Sequence, residues 1–315
     1  MKYILITPCR NEEKNLQNLA NSIISQSIKP LMWVIVDDRS DDNTSSIIKG
    51  LEQQNEWIHG LYLKEVGEYM GFHYSRVCNQ GFDSAMKYCS ENNISYEYIA
   101  LVDADNIPEV NYFEVLMHEL EKDNKLGIIS GTNAFIDLDE MKSIDDISAM
   151  FDAFDSLEIQ YSRDDLPMGS ARMWHKQCFE ETGGYMPVYA PDAVSTVKAK
   201  MKGWNAKRIK NARVIERQAF ETQGIWTRSK EIGNYYHYLW HPLSYVLMKS
   251  IKYSFERPYY KGVGCLFGYG RSAIGRREKI NDVDVKVYYT QVRPKELRSF
   301  YIAKFKKMLG DGNNS

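Results

Sequence analysis

Tyr98-Ile99-Ala100-Leu101-Val102-Asp103-Ala104-Asp105-Asn106 is an apolar run that ends abruptly in carboxylates. Tyr98–Val102 reads as a strand, and side chains two apart on an extended segment face the same way. Asp103 and Asp105 are therefore expected to point together from the strand's end. Two aligned carboxylates are a poor arrangement without a cation beside them. A divalent ion fits, because it takes hard oxygen ligands and binds through one or two carboxylates plus substrate phosphates. Such an ion would neutralise a diphosphate leaving group. The plainer alternative is a strand followed by a polar, solvated turn.

Outward from this strand the same rhythm repeats. Tyr3–Thr7 is a short apolar run, followed by Leu16, Leu19, Ile23 and Ile24 at helical spacing. Trp33–Val36 is a second run ending in acids, and Ser40–Thr44 supplies N-cap chemistry for a helix carrying Ile47, Ile48 and Leu51. Ile58–Leu63 predicts a third strand, Tyr74–Glu91 a helix, Tyr112–Leu120 another, and Leu126–Ser130 a further strand. Alternating strands and helices imply an α/β chain with a mostly parallel sheet, covered on both faces. Ligands of such sheets sit beyond the carboxyl ends of the strands. Pro8–Glu12, Asp37/Asp38 and Asp103/Asp105 each follow a strand, so these clusters are expected on one rim. Beyond Gly131 the pattern loosens, with helices expected over Asp145–Tyr161 and Asp192–Lys202.

The other two clusters each carry a double reading. In Val36-Asp37-Asp38-Arg39-Ser40-Asp41-Asp42 a carboxylate at the strand end can accept the imide hydrogen of uracil. The same acids also favour a helix N-terminus, which assigns Asp41 or Asp42 to the cap and Asp38 to the base. In Thr7-Pro8-Cys9-Arg10-Asn11-Glu12-Glu13 the proline sets a rigid turn that turns polar groups to a ligand, or the two glutamates simply start a helix.

Composition sets the outer limits. With 43% hydrophobic and 26% charged residues, there is apolar material for a sizeable core. Only Gly310–Ser315 reads as a frayed tail. Five scattered cysteines without close pairing argue against a disulfide framework or structural zinc and suit a reducing compartment. The apolar stretch between Lys2 and Pro8 is too short for a signal sequence, and no run approaches the roughly 20 residues of a membrane span. A cytoplasmic protein is the expectation. The net charge of −2 conceals an asymmetry: Lys230–Ser315 holds 16 Lys/Arg against 7 Asp/Glu, and 16 of the 40 aromatics. Two regions with different roles follow.

Taken in order, Thr-Pro-Cys-Arg-Asn-Glu at 7–12, Val-Asp-Asp-Arg-Ser-Asp-Asp at 36–42 and Val-Asp-Ala-Asp at 102–105 resemble the family 2 glycosyltransferases. The resemblance spans residues 1–220. It implies a GT-A fold: a mostly parallel (mixed) sheet flanked by helices, with a smaller, mainly helical C-terminal region. The domains expected are 1–222, binding nucleotide sugar and catalytic, and 223–315, basic and aromatic-rich. By this likeness Pro8, Arg10 and Glu12 line the nucleoside pocket, Asp38 reads the base, and Arg76 belongs to the helix closing over the nucleotide. Asp103 matches a ribose or metal contact and Asp105 the direct ligand of Mn²⁺ or Mg²⁺. Gly183-Gly184-Tyr185-Met186-Pro187-Val188-Tyr189-Ala190-Pro191-Asp192 resembles the segment where a Gly-Gly-aromatic turn leads to the catalytic base. Asp192 is then that base, with an ordinary N-cap as the other reading.

The resemblance implies inverting transfer from a nucleotide-sugar donor to the hydroxyl of a saccharide or lipid-linked acceptor. Asp38 suits a UDP sugar, with GDP-mannose as the other donor. Three departures stand out: Pro191 replaces the family's frequent Glu, the Gln-x-x-Arg-Trp motif of processive synthases is absent, and no histidine lies near Ala212–Arg217, where Glu216 is the substitute oxygen ligand. A sugar-nucleotide pyrophosphorylase is the nearest rival, although Thr7–Glu13 lacks its Gly-rich loop. A non-catalytic nucleotide-sugar or carbohydrate binder of the same fold is the rival from another class. For 223–315 three roles are open: an anionic membrane surface, an acceptor groove, or a packed cap with a basic face. Nucleic acid is not an expected partner, given the acidic first region.

Overall fold

The computed structural model describes residues 1–64, 70–136, 147–152, 154, 157–160, 166–217, 224–299 and 302. The 310–315 tail expected to fray lies outside them. The chain divides into two compact units, Met1–Ala219 and Phe220–Ser315.

The first unit is built on one nine-stranded sheet. Strands β1 (Tyr3–Cys9), β2 (Met32–Asp37), β3 (Ile58–Tyr62) and β4 (Tyr98–Val102) form its parallel half, in the order β3-β2-β1-β4. The helices between them are α1 (Leu16–Ile24), α2 (Thr44–Gln54) and α3 (Met70–Glu91). Beyond β4 the sheet turns mixed. β8 (Ala171–His175) inserts antiparallel between β4 and β6 (Leu126–Ile136), and β6 pairs in parallel with β9 (Asn205–Arg217). Short β5 (Asn106–Pro108) lies antiparallel on β9, and β7 (Glu158–Gln160) on β6. Helices α4 (Tyr112–Lys122), α5 (Ile147–Asp152), α6 (Lys176–Glu181) and α7 (Pro191–Met201) complete the unit.

The expected single helix over Asp145–Tyr161 is corrected here. Helix α5 stops at Asp152, and Glu158–Gln160 are extended because they pair with Phe135–Asn133 of β6. Met150, Phe151 and Phe154 bury their side chains as that spacing expects, but an edge backbone that gains a ladder overrides it at Glu158–Gln160. The structure of the intervening residues 153, 155 and 156 lies outside the described set.

Alternation along the strands divides the core in two. Tyr3 and Leu5 of β1 pack on one face with Leu16, Leu19 and Ile23 of α1 and Phe113 of α4. Ile4 and Ile6 pack on the other with Val77, Phe82 and Ala85 of α3. Successive side chains of a strand point to opposite faces, so an unbroken apolar run needs helices on both. Gly81 sets how closely α3 approaches: a Cβ there would lie 2.6 Å from Ile6 Cγ2 and 2.8 Å from Val36 Cγ2.

The second unit is helical, with α8 (Ile225–Tyr238), α9 (Leu243–Tyr253), α10 (Lys261–Ile274) and α11 (Val283–Val287), the last running into a π-helical turn at Tyr288–Val292. Its Tyr236, Val246 and Cys265 form a small separate core. No helix among the described residues is long and apolar enough to cross a membrane.

Candidate active site

Two loops at the carboxyl ends of β1 and β2 are stitched into one surface. Asp38 N–H donates to Cys9 O at 2.9 Å, Glu12 N–H to Thr44 Oγ1 at 2.8 Å, and Asp41 N–H to Asn11 Oδ1 at 2.8 Å. Asn11 and Arg39 both adopt left-handed backbone, with φ of 58° and 57°. Asparagine tolerates that region better than arginine does. Pro8 itself lies inside the β1 ladder, opposite Val36, so the turn falls two residues later than expected.

The adjacent acids Asp37 and Asp38 have different tasks. Asp37 accepts from Ser40 N–H at 2.9 Å and from the Ser45 hydroxyl, which braces the entry to α2. Asp42 accepts from Thr44 N–H at 3.0 Å, so it supports the same entry. Asp38 is turned to other side chains. Its carboxylate meets His73 Nε2 at 2.5 Å, Arg39 Nε at 3.2 Å and Arg10 Nη1 at 3.8 Å. A carboxylate offers about four lone-pair sites, so the two close contacts from His73 and Arg39, with Arg10 at ion-pair distance, leave room for another donor.

The second cluster gathers around β4. Tyr74 donates its hydroxyl to Asp103 Oδ1 at 2.6 Å, and Asn106 Nδ2 donates to Asp105 Oδ1 at 2.8 Å. Tyr74 lies two turns before Gly81 on one face of α3, so the close approach at Gly81 carries its ring past the strand ends. Antiparallel pairing of β5 with β9 sets Asn106 opposite Glu216, and Arg217 N–H donates to Asp105 O at 3.0 Å. Glu216 is in turn held by Asn133 Nδ2 at 2.7 Å, while Asn133 Oδ1 accepts from Arg208 at 2.6 Å. With the oxygen committed to Arg208, the Asn133 amide can only present its NH₂ to Glu216.

Electrostatics make this a strained group of acids. Burial first, then the Asp105 charge, hold the Asp103 carboxyl well above the usual range, with Glu216 and Glu12 adding to the shift. Asp105 is raised by burial, against which its hydrogen bonds and Arg217 pull it down. Glu216 is raised by burial and by Asp105. Glu12 is raised by burial and, less, by Asp105, while Asn15 and Arg217 lower it. Close burial of like charges is costly, and Arg217 and Arg208 offset it only in part. Asn106 Oδ1, beside Asp105, is buried with no hydrogen-bond partner among the described residues.

The donor set suits a hard cation: carboxylates Asp103 and Asp105, with Glu216 behind them, and an orphaned amide oxygen next to them. Among the described residues no three His, Cys, Asp or Glu side chains converge closely enough to hold an ion by themselves. Two carboxylates would leave most of the coordination sphere to water and a ligand's phosphates.

Asp192 reaches the neighbourhood from α7. Ala190 takes left-handed backbone with φ 62°, Pro191 opens the helix, and Asp192 lies in its first turn. The carboxylate rests against Gly169, where a Cβ would stand 3.1 Å from Asp192 Oδ2. The next residue, Ser170, accepts Asp103 N–H at 2.8 Å, which links the Asp192 loop to the β4 end. Arg172 locks this corner. Almost wholly buried, it donates to Met168 O at 2.6 Å, Pro167 O at 3.1 Å, Asp192 O at 3.0 Å and Ser195 Oγ at 3.1 Å. Helix α3 pins the preceding turn through Ser75 to Val188 O at 3.2 Å and through Asn79 to Tyr185 O.

Sequence reasoning nominated Pro8, Arg10, Glu12, Asp38, Arg76, Asp103, Asp105 and Asp192. Arg10 meets Asp38, and Glu12 shares the field of Asp103 and Asp105. Arg76 stands exposed on α3, with no hydrogen bond or ion pair among the described residues. His73 and Tyr74, three and two residues earlier, are what that helix brings to the rim, and neither was nominated. The signal for them was indirect: buried carboxylates require donors, and α3 was the helix after β3 with polar aromatic residues at its start.

The matches to known proteins agree with this architecture. The family model described as glycosyl transferase family 2 matches residues 4–174. Poly-beta-1,6-N-acetyl-D-glucosamine synthase of Staphylococcus aureus is 24% identical over 123 residues, 39% of this chain and 26% of that protein. Glycosyltransferase GlyA of Streptococcus pneumoniae is 30% identical over 119 residues, 38% of this chain and 15% of that protein. The chain therefore spans about a quarter or less of the length of these curated relatives. Among solved structures, mannosyltransferase PcManGT from Pyrobaculum calidifontis, in complex with GDP-Man and Mn²⁺, superposes with a TM-score of 0.51 at 14% identity, covering 94% of this chain and 80% of that one. S. aureus TarS 1–349 in complex with UDP-GlcNAc gives 0.50 at 14% identity, over 75% of this chain and 66% of that one. At that identity the likeness is one of fold, and the fold is of the GT-A type. With more than half of its length under the family model, from β1 through β8, the chain belongs to glycosyl transferase family 2.

Proposed function

We propose that the chain is an inverting, metal-dependent glycosyltransferase that moves a sugar from a nucleotide-diphosphate sugar to an acceptor hydroxyl. The observation that carries this reading is the placement of Asp192 against Gly169, one residue from the Ser170 carbonyl that holds the Asp103 backbone. The Asp192 carboxylate thus lies near the end of β4 that carries the buried acids, where this reading needs a base.

The nucleoside lies against the stitched loops of β1 and β2, lined by Pro8, Arg10 and Glu12. Asp38 accepts the imide hydrogen of uracil, with His73 and Arg39 fixing its orientation. This favours a UDP sugar. TarS with UDP-GlcNAc and PcManGT with GDP-Man are precedents on the same fold for either nucleotide. Asp103 and Asp105 would hold Mn²⁺ or Mg²⁺ together with the donor's diphosphate, and the ion would offset the charge on the departing nucleotide. Arg76 faces solvent on α3, and its role is as a contact of bound nucleotide.

Asp192 takes the proton of the acceptor hydroxyl as that oxygen attacks the anomeric carbon. The bond from that carbon to the diphosphate oxygen breaks on the opposite side, and UDP leaves with the electron pair. One displacement inverts the configuration. General-base help of this kind contributes about 10²–10⁴-fold. Catalysis belongs to 1–222, while 223–315 serves the acceptor side or a membrane surface, the acceptor being a saccharide or a lipid-linked one.

A thermal-shift panel of UDP- and GDP-sugars, with and without Mn²⁺, tests the reading. A UDP sugar should give the largest stabilisation, and only with the ion. Strong stabilisation by a donor that no acceptor ever discharges would instead identify a binding protein of this fold.

A further inference from the structure

The second unit carries an apolar surface that its own packing leaves bare. Of the large apolar side chains exposed among the described residues, most belong to this unit. On α9, Leu247, Met248 and Ile251 are exposed on the side of the helix that runs away from the buried Val246 and Ser250 stripe, beginning beside it at Leu247. On α10, Val263, Phe267 and Ile274 recur at spacings that fall on one face. Ile251 is 62% exposed, Phe255 81% and Ile274 87%.

That face is outward for a definite reason. Helices α8 and α10 meet backbone to backbone: a Cβ on Gly233 would lie 2.0 Å from Cys265 O, and one on Gly268 2.0 Å from Lys230 O. The glycine side of α10 is thus consumed by α8, and its large side chains are left on another side. Trp226 extends the patch, with its ring 6.2 Å from Phe267 and 6.0 Å from Tyr260.

Charge decides what covers it. Leu243–Ile274 contains Lys249, Lys252, Arg257, Lys261 and Arg271, against Glu256 alone. A second copy of the same face would set cation against cation. A bilayer with anionic headgroups complements it, since Lys and Arg gain from the surface potential while Trp, Tyr, Phe and Ile enter the interface. A cleft of about 610 Å³ on a neighbouring face of α10 adds Arg276, Arg277 and Lys279. Helices of 11 and 14 residues are too short to span, so the contact lies in the interface plane.

We propose that the exposed faces of α9 and α10 insert into the surface of an anionic lipid bilayer and hold the enzyme there peripherally. This deepens the membrane-side role suggested for 223–315, and it is independent of the transfer chemistry.

Co-sedimentation of the full chain with phosphatidylcholine vesicles, and with vesicles containing about a third phosphatidylglycerol, tests it. The wild type should partition at least about tenfold more strongly onto the anionic vesicles, and Ile251→Asp with Phe255→Asp should lower that partition roughly tenfold or more. Because both side chains are exposed, the variant should keep its melting temperature and its donor-induced thermal shift, which separates this test from that of the active site. Lys249→Glu with Lys252→Glu should abolish the preference for anionic lipid. Wild-type protein left in the supernatant with anionic vesicles would overturn the proposal, as would undiminished binding by the Ile251/Phe255 variant. Light scattering without lipid that shows a wild-type dimer and a monomeric variant would also overturn it, by assigning the face to a second copy.

Discussion

Tyr74 donates its hydroxyl to Asp103 at 2.6 Å, from a helix whose close approach to β1 and β2 leaves no room for a Cβ at Gly81. Asp103 is buried among like charges, and this phenol is its hydrogen-bond donor from the helical layer. Tyr74→Phe keeps the ring and removes the donor, leaving a buried carboxylate short of a partner. The expected cost is about 1–3 kcal/mol of unfolding free energy, read by urea denaturation, with weaker UDP binding in Mn²⁺.

Gly81→Ala tests the packing beneath that contact. Its new Cβ would meet Ile6 and Val36 side chains closer than carbon atoms approach. Both belong to buried strands, so α3 must shift. Overpacking of this kind costs about 1–3 kcal/mol. Because Tyr74 and His73 ride on the same helix, donor affinity should fall together with stability, whereas Gly50→Ala, with open space around it, should change donor affinity little.

Asp192→Asn should leave UDP binding intact and slow transfer by about 10²–10⁴-fold, the range for loss of a general base. Calorimetry with UDP and an assay of UDP release from the donor–acceptor pair measure the two separately. Full activity would remove Asp192 from the mechanism.

Acid should destabilise the second unit through His241. Burial first, then Arg293 and Lys249, push its imidazole from 6.5 down to about 3. Tyr236, Tyr245 and Tyr289 surround the ring, and the charged groups that act on it, Arg293 and Lys249, are both cationic. The unfolded chain therefore takes up this proton first. The stability is fully present above pH 6.5 and is lost as pH falls towards 3, at about 1.4 kcal/mol per pH unit. His241→Phe, which can stack in the same place, should flatten the slope relative to wild type in urea denaturation at pH 6.5 and 5.

Much of the first unit was legible from the chain. Tyr3–Thr7, Trp33–Val36 and Tyr98–Val102 read as strands because both faces are covered, leaving unbroken apolar runs between helical spacings, while Ile58–Leu63, broken by His59 and Gly60, covers a strand of which only Ile58 is buried. The carboxylates after them marked the rim. What sequence could not supply was side-chain pairing across distant segments. β8 was not read as a strand at all: Ala171–His175 includes Arg172, whose buried guanidinium finds the carbonyls of the loop before it and that of Asp192 at the start of α7, 20 residues away. His73 and Tyr74 went unrecognised for the same reason, since their partners lie 35 and 29 residues away. Helical spacing misled over Asp145–Tyr161, where an open sheet edge was invisible.

The most direct test of the account is calorimetric titration of the wild type with UDP, in Mn²⁺ and then in chelator, beside Asp105→Asn. If the buried acids await a cation that arrives with the diphosphate, affinity should drop at least about tenfold in chelator, and Asp105→Asn should bind with that weaker affinity in both conditions. Equal affinity for UDP with and without the ion, in both proteins, would contradict it.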